Sequence, residues 1–371
     1  MGKEPISTSV LVAMSGGVDS SIAALVLKNR GYKVIGVTMR LIDDMDDAAP
    51  QSRSCCSFND VIDARSVSQK LDFDHQVHNF SLLFKTEVIE RFAQAYASGR
   101  TPNPCIDCNR RLKFTPLFER AQLLGCSHLA TGHYVRNEFD DKTGRWLLKR
   151  AVDPSKDQSY VLYGLTQKEL GRTVFPLGEM YKRQVRQLAM THGLVNAEKP
   201  DSQDICFVRD GRYTDYLQKL SAAAPPGDII DSSGKILGRH KGLHHFTIGQ
   251  RKGLGICFPT PRYVIALDAK NNTVTVGSED ELHSSWATVS DVNFISIEAL
   301  DEPLEVQAKI RYSQPAFDAV IQPLGDDKVK LLFKTPQKAV APGQAAVFYR
   351  GETVVGGGTI DGGGTIDGAR Q

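Results

Sequence analysis

At 371 residues the chain is longer than one hydrophobic core usually supports, so two or three domains are expected. Apolar residues at 41%, charged residues at 24% and a formal net charge of +2 suit a soluble globular protein, and leave nucleic-acid binding to local patches rather than to overall charge. Seven cysteines, a polar Met1–Ser9 stretch without signal-peptide pattern and no apolar run of membrane-spanning length point to a reducing cytoplasm and away from a membrane protein.

The first predicted strand, Val10 to Ala13, runs into Met14-Ser15-Gly16-Gly17-Val18-Asp19-Ser20-Ser21 and then a helical stretch from Ile22 to Leu27 that Gly31 closes. A Ser-Gly-Gly turn between strand and helix aims backbone N–H groups at one point, at the positive end of the helix dipole, which is a phosphate-binding geometry. Asp19 stands where it can help hold magnesium on the phosphates. The spacing is not that of the Walker loop. A second strand is predicted over Lys33–Arg40, then a mobile Asp-rich loop with Cys55 and Cys56, a helix over Asn59–Leu71, a strand over Gln76–Phe80 and one amphipathic helix over Ser81–Ala97. Ser127 to His133 reads as a further buried strand ending in a Gly-His turn. This βαβα order predicts an α/β doubly wound parallel sheet with its ligand at the carboxyl ends of the strands.

Between these elements lies Thr101-Pro102-Asn103-Pro104-Cys105-Ile106-Asp107-Cys108-Asn109-Arg110-Arg111, with a helical pattern starting near Cys108 and restarting or kinking at Pro116. A thiol at a helix start beside Arg110, Arg111 and Lys113 is expected to ionise easily. Taken alone, the Cys-x-x-Cys spacing fits half a zinc site or a redox pair as well. After about residue 208 the pattern changes. Pro225-Pro226-Gly227 and Ser232-Ser233-Gly234 mark turns, and short strands follow, including Leu304–Tyr312, Phe317–Pro323, Val329–Phe333 and Ala346–Tyr349 of a small barrel-like all-β domain. The expected boundaries are a catalytic domain over 1–208, a small central β-rich domain over 209–285 and a C-terminal β domain over 286–371. Gly-Gly-Gly-Thr-Ile-Asp occurs twice, at Gly356–Asp361 and Gly362–Asp367; the first copy reads as the end of the last strand and the second as a flexible tail.

Ser15–Ser20 resembles the pyrophosphate (PP) loop of the ATP-pyrophosphatases, which split ATP into AMP and pyrophosphate to activate a carbonyl oxygen. Adding Asn103-Pro104 with Cys108-Asn109, Gly132-His133-Tyr134, Lys156-Asp157-Gln158-Ser159-Tyr160, Asp201 to Phe207, Gly249–Gly255, Arg311-Tyr312 and Pro342-Gly343-Gln344, the chain resembles the tRNA-specific 2-thiouridylases (the MnmA/TrmU family) from about residue 9 to 358. The resemblance implies Cys108 as nucleophile and Cys206 as persulfide carrier. It implies ATP contacts at Ala13, Met14, Ser15, Gly16, Gly17, Val18, Asp19, Ser20, Met39 and Gly132. Contacts to tRNA are implied at Asn103, Pro104, Cys105, His133, Lys156, Asp157, Gln158, Arg311, Tyr312 and Gln344. Many members carry Asp where this chain has Cys105, which puts an acid–base role at that position in doubt.

The implied reaction uses ATP and magnesium to adenylate the C2 oxygen of wobble uridine 34, in tRNAs for Glu, Gln and Lys. Sulfur supplied by a cysteine desulfurase or a sulfur-relay protein then replaces that oxygen, leaving a Cys108–Cys206 disulfide. In a second reading, Cys105, Cys108 and Cys206 cradle a [4Fe–4S] cluster with one open iron. Two basic clusters, Tyr181–Arg186 and Arg239–Lys252 with its three histidines and Phe246, are expected to meet RNA phosphates. The competing classes are an amide-forming ATP-pyrophosphatase, indifferent to Cys206, and a non-catalytic tRNA-binding protein.

Overall fold

A computed structural model describes residues 8–42, 58–201, 205–208, 213–219, 225–325 and 327–365; the predicted loop with Cys55 and Cys56 lies outside them. The chain divides into two compact units, one of residues 1–88, 105–211 and 352–354, the other of residues 89–104, 212–351 and 355–371.

In the first unit, β1 (Ser9–Ala13), β2 (Lys33–Arg40), β3 (Asp74–Asn79), β4 (His128–Ala130) and β7 (Thr173–Val174) form a five-stranded parallel sheet in the order β3-β2-β1-β4-β7. Helix α1 (Val18–Asn29) and α2 (Phe58–Lys70) follow β1 and β2. Val10 and Val12 of β1 meet Ile22, Ala23 and Ala24 of α1 in a core that excludes water from both. The strand order reverses at β1, so the crevice between the carboxyl ends of β1 and β4 is the switch point where such sheets bind ligands. An antiparallel hairpin of β5 (Val135–Asp140) and β6 (Arg145–Arg150) follows β4.

Three expectations change. The strand expected from Ser127 into a Gly-His turn pairs at His128–Ala130, shorter by a residue or two, because the chain already turns at Thr131 to pass the start of α1. The single helix expected over Ser81–Ala97 is α-helical at Ser81–Phe84 and Arg91–Ala97 but π-helical over Lys85–Glu90. Around Cys108 the chain is already helical at Pro104–Asp107, π-helical over Cys108–Lys113, and α-helical again over Phe114–Leu123. Pro116 sits in the first turn of that last segment, where a missing N–H is tolerated.

The second unit holds a four-stranded sheet of β8 (Gly227–Ile230), β9 (Ile236–His240), β10 (Tyr263–Asp268) and β11 (Thr273–Gly277), in the order β10-β11-β8-β9. Then come β12 (His283–Phe294), β13 (Leu304–Lys309), β14 (Phe317–Pro323), β15 (Val329–Lys338), β16 (Ala345–Arg350) and β17 (Thr353–Gly364). They follow one another as β12-β15-β14-β13-β16-β17, and β17 pairs back to β12 to close a six-stranded barrel. Alternate residues such as Val306, Ala308, Ala319, Ile321, Leu331 and Phe333 fill its interior.

The second Gly-Gly-Gly is not a tail. Gly362, Gly363 and Gly364 pair with Thr288, Ala287 and Trp286. The reason is close approach: a Cβ at Gly356, Gly358 or Gly363 would stand 2.5, 2.5 or 2.6 Å from a β12 carbonyl oxygen. The reference is a chain ending at Thr365. One ending at Asp361 loses three ladder pairs and should melt roughly 4–8 °C lower; equal melting in differential scanning fluorimetry would refute the barrel closure.

Candidate active site

The loop between β1 and α1 is built to leave amides open. Gly17 caps α1 without any side-chain hydrogen bond, so the first-turn N–H groups keep their donors for a ligand. Gly16 takes a left-handed φ of +74°, and a Cβ there would collide with the Asp60 carbonyl at 2.3 Å. The hydroxyls of Ser20 and Ser21 both donate to the Gly17 carbonyl at 3.0 Å, while the Ser15 N–H donates to Ser20 Oγ at 3.2 Å. Buried Asn196 donates from Nδ2 to the Gly16 carbonyl and to Ser21 Oγ, each at 2.9 Å. Lys199 adds a 3.3 Å bond to Gly16 and pairs with Asp60 and Asp63 at 2.6 and 2.5 Å.

Gly132 closes the site from β4. A Cβ on it would lie 2.8 Å from the Ser20 amide nitrogen, so only glycine lets the β4 turn ride over α1's first turn. Met39, at the carboxyl end of β2, is buried beside this edge of the sheet. The expected ATP residues Ala13 to Ser20, Met39 and Gly132 therefore share the carboxyl-end edge of one sheet.

Beside the loop lies a cluster of charges. Lys182 Nζ stands 2.7 and 2.8 Å from the two Asp19 oxygens and 2.8 Å from Asp201. The Tyr134 hydroxyl donates to Asp19 at 2.7 Å, and Lys156 and Arg186 meet Asp201 at 2.9 and 2.8 Å. Burial would raise the Asp201 carboxyl, yet hydrogen bonds and charge from Lys182 and Lys156 outweigh it and bring it down to about 2. Burial, then the Asp19 carboxylate, pushes the Tyr134 phenol up, so it stays a hydrogen-bond donor. Asp157 accepts from the Ala151 and Ser159 amides at 3.1 and 3.2 Å, and Gln158 Oε1 accepts from the Tyr134 N–H at 2.9 Å. In this arrangement Asp157 and Gln158 shape the turn that carries Tyr134.

Lys182 corrects a sequence expectation. The basic turn Tyr181–Arg186 was expected to face RNA phosphates, but Lys182 is buried against the loop and Arg186 donates to the Ala197 and Lys199 carbonyls. Only Arg183 of its three cations is exposed, stacked over Tyr181 at 5.4 Å. A signal was present: Lys182 shares the i, i+3, i+7 stripe of Val185 and Ala189 on helix Lys182–Thr191. In the second cluster His240, His244 and Phe246 are core residues, whereas Arg239, Lys241, Arg251 and Lys252 are exposed. Burial holds His240 and His244 below the ordinary imidazole value, so they are not phosphate cations at neutral pH.

Cys108 is buried, Cys206 half-buried and Cys105 exposed. Both Cys108 and Cys206 sit on segments that lean on the same helical stretch. Arg111 pairs with Glu87 at 3.6 Å, and Phe207 packs edge-on against Phe84 at 5.6 Å. Next to Cys108, buried Asn109 donates to the Val161 carbonyl at 3.1 Å, which ties the cysteine turn to the Lys156–Tyr160 segment. Among the described residues no three Cys, His, Asp or Glu side chains gather closely enough to hold a metal ion. As placed, Cys105, Cys108 and Cys206 do not gather into such a group.

His133 stacks on Phe114 and shares a 2.8 Å hydrogen bond with Thr131. Burial, then Lys113, holds it well below 6.5, so it meets any ligand as a neutral imidazole. In the second unit Arg311 donates to the Ile248 and Ala339 carbonyls at 3.1 and 3.0 Å. Tyr312 is exposed, with Lys309 over its ring at 5.7 Å. Gln344 donates to the Thr101 carbonyl at 2.9 Å and the Thr101 N–H to Pro342 at 2.8 Å, which anchors the lead-in to Asn103 and Pro104.

Gly132→Ala should destabilise the first unit by about 1–3 kcal/mol and weaken nucleotide binding, as read by urea unfolding and calorimetry; unchanged nucleotide binding would contradict the close approach. Asp201 has a depressed native carboxyl, so its stabilisation is complete above the unfolded value of 3.8 and is lost as pH falls toward about 2. The stability difference between the parent chain and Asp201→Asn should therefore shrink by about 2 kcal/mol from pH 5 to pH 2.

Three family models match in order: a "tRNA methyl transferase HUP domain" over residues 8–210, a "tRNA methyl transferase PRC-barrel domain" over 214–278 and an "Aminomethyltransferase beta-barrel domain" over 284–360. The chain is 50% identical over 350 residues to the tRNA-specific 2-thiouridylase MnmA of Acetivibrio thermocellus, covering 94% of this chain and 98% of the relative. It is 47% identical to the protein of the same name in Clostridioides difficile, over 95% and 98% of the two chains. It is 49% identical to MnmA 2 of Caldanaerobacter subterraneus, over 94% and 96%. With its phosphate-type loop at the sheet's switch point and its likeness running through all three domains, the chain belongs to the family of tRNA-specific 2-thiouridylases.

Proposed function

We propose that this protein is an ATP-dependent tRNA 2-thiouridylase, replacing the C2 oxygen of uridine 34 with sulfur and releasing AMP and pyrophosphate. The observation that carries this reading is the uncapped start of α1 beneath Gly132, in a chain so close to named 2-thiouridylases. A urea-like carbonyl oxygen is a poor leaving group, and adenylation makes it a good one. The amides of Ser15 to Val18 receive the pyrophosphate charge as it develops. Asp19 is one-third exposed at its carboxylate and suits one magnesium ligand position; magnesium, when bound there, neutralises phosphate oxygens.

Sulfur arrives as a persulfide on Cys206, from a cysteine desulfurase acting directly or through a relay. Its terminal sulfur attacks C2 of the adenylated base. The Cys108 thiolate then attacks the Cys206 sulfur, the persulfide bond breaks toward the transferred sulfur, and AMP departs with the old C2–O bond. The product is a thiocarbonyl and a Cys108–Cys206 disulfide, which an external dithiol reduces for the next turnover. The substrates are tRNAs with uridine 34, those for Glu, Gln and Lys in the first place. Neutral His133 offers a base contact to a flipped uridine, and the Asn103–Cys105 turn offers its own contacts to the tRNA. Exposed Tyr312 with Lys309 offers a stacking and phosphate platform, and Arg239, Lys241, Arg251 and Lys252 supply phosphate contacts. Lys156 to Gln158, Arg311 and Gln344 act on tRNA through the backbone they hold.

The test is ATP-dependent sulfur transfer to unmodified tRNA, read as retardation on a mercury gel with a desulfurase as donor. The parent chain should thiolate, and Cys206→Ala should not, while still releasing pyrophosphate when tRNA is added. Cys105→Asp should retain activity. Pyrophosphate release on a small carboxylate without tRNA, unaffected by Cys206→Ala, would move the chain to the amide-forming class.

A further inference from the structure

Lys182 is an unusual ammonium. Its side chain is 10% exposed, and its backbone N–H is pinned to Asp153 at 2.9 Å. The Nζ lies 5.8 Å from the centre of the Tyr134 ring, so water reaches it poorly and protein carboxylates must solvate it. Its two carboxylates differ in need. Asp201 already holds Lys156 and Arg186. Among the described residues Asp19 forms a close ion pair only with Lys182, which both of its oxygens face, while the charge of Lys156 acts on it from longer range. Lys199, the other ammonium on the loop, is committed to Asp60 and Asp63.

We propose that Lys182 is the resident counter-ion of the nucleotide site: it holds Asp19 when no nucleotide is bound, competes with magnesium for that carboxylate, and carries phosphate charge once ATP arrives. The inference rests on the ATP site assigned above and adds a positioning residue to it. Asp19 Oδ1 already accepts from Tyr134 and Lys182, so a divalent ion must use Oδ2, beside the ammonium. Two cations crowding one carboxylate repel one another, and the triphosphate relieves that repulsion by taking the ammonium. A purely structural ion pair predicts something else. Removing it would loosen the loop and weaken metal and nucleotide binding together.

The two accounts therefore differ in sign. In the full-length protein, Mn2+ alone is titrated and followed by its EPR signal, and a non-hydrolysable ATP analogue is titrated calorimetrically at saturating magnesium. Lys182→Met should bind the analogue about tenfold or more weakly yet bind Mn2+ several-fold more tightly. Lys182→Arg should bring the analogue affinity back to within a few-fold of the parent. Lys182→Gln, which keeps a donor toward Asp19, repeats the measurement if the methionine variant does not fold. Weakening of both ligands together, or no change in either, would overturn the proposal. Absence of analogue binding by the parent chain would instead refute the ATP site itself.

Discussion

Everything in the first unit is arranged around an unfinished helix. Helix α1 begins at Val18 with no side chain accepting from its first amides, and such bare donors cost free energy unless a ligand or water takes them. The surrounding structure holds that state open. Gly16 bends back on Asp60, Asn196 and Lys199 grip its carbonyl, and Gly132 slides over Ser20 with no side chain. Each contact uses a backbone group or a missing Cβ, which leaves the start of α1 without a side-chain cap.

The charged cluster beside that loop is a balance rather than a source of strength. Buried ion pairs return little net stability, because desolvation offsets most of the Coulombic gain. Their value here lies in geometry: Asp201 collects Lys156, Lys182 and Arg186, and Lys182 reaches on to Asp19 in the first turn of α1. The stretch that grips the loop at Asn196 and Lys199 continues through Asp201 toward Cys206. The proposed persulfide carrier, Cys206, thus follows in sequence the residues that hold the Ser15–Ser20 loop, while Cys108 rides on a π-helical turn braced from another direction through Glu87 and Val161. π-Helical turns re-aim side chains at a cost in local hydrogen bonding, and they recur at functional sites.

In the second unit glycine again serves close approach. Gly356 to Gly364 lies along β12, where a Cβ at three of its glycines would strike carbonyl oxygens. The second Gly-Gly-Gly reads as a tail only while the neighbouring strand is out of view. Arg311 and Gln344 serve the backbone too: each donates to carbonyls far away in sequence, and Gln344 thereby holds the lead-in to the cysteine turn at Thr101.

What the sequence determined by itself was local: the Ser15–Ser20 loop, the strands beside it, the parallel sheet and the order of the motifs. Strand, turn and helix start are contiguous there, so residue type and spacing carry the geometry. Tertiary structure alone decided the fate of the charges and of the tail. Lys182 looks like a surface cation beside Arg183 and Arg186 until helix Lys182–Thr191 is laid on α1 and Asp19, 163 residues earlier, takes it. His240 and His244 look like a basic patch until their sheet folds over them. The second Gly-Gly-Gly looks idle until β12 lies beside it. In each case the partner comes from a distant stretch of chain, and a side chain's burial and charge state depend on that partner rather than on its neighbours in sequence.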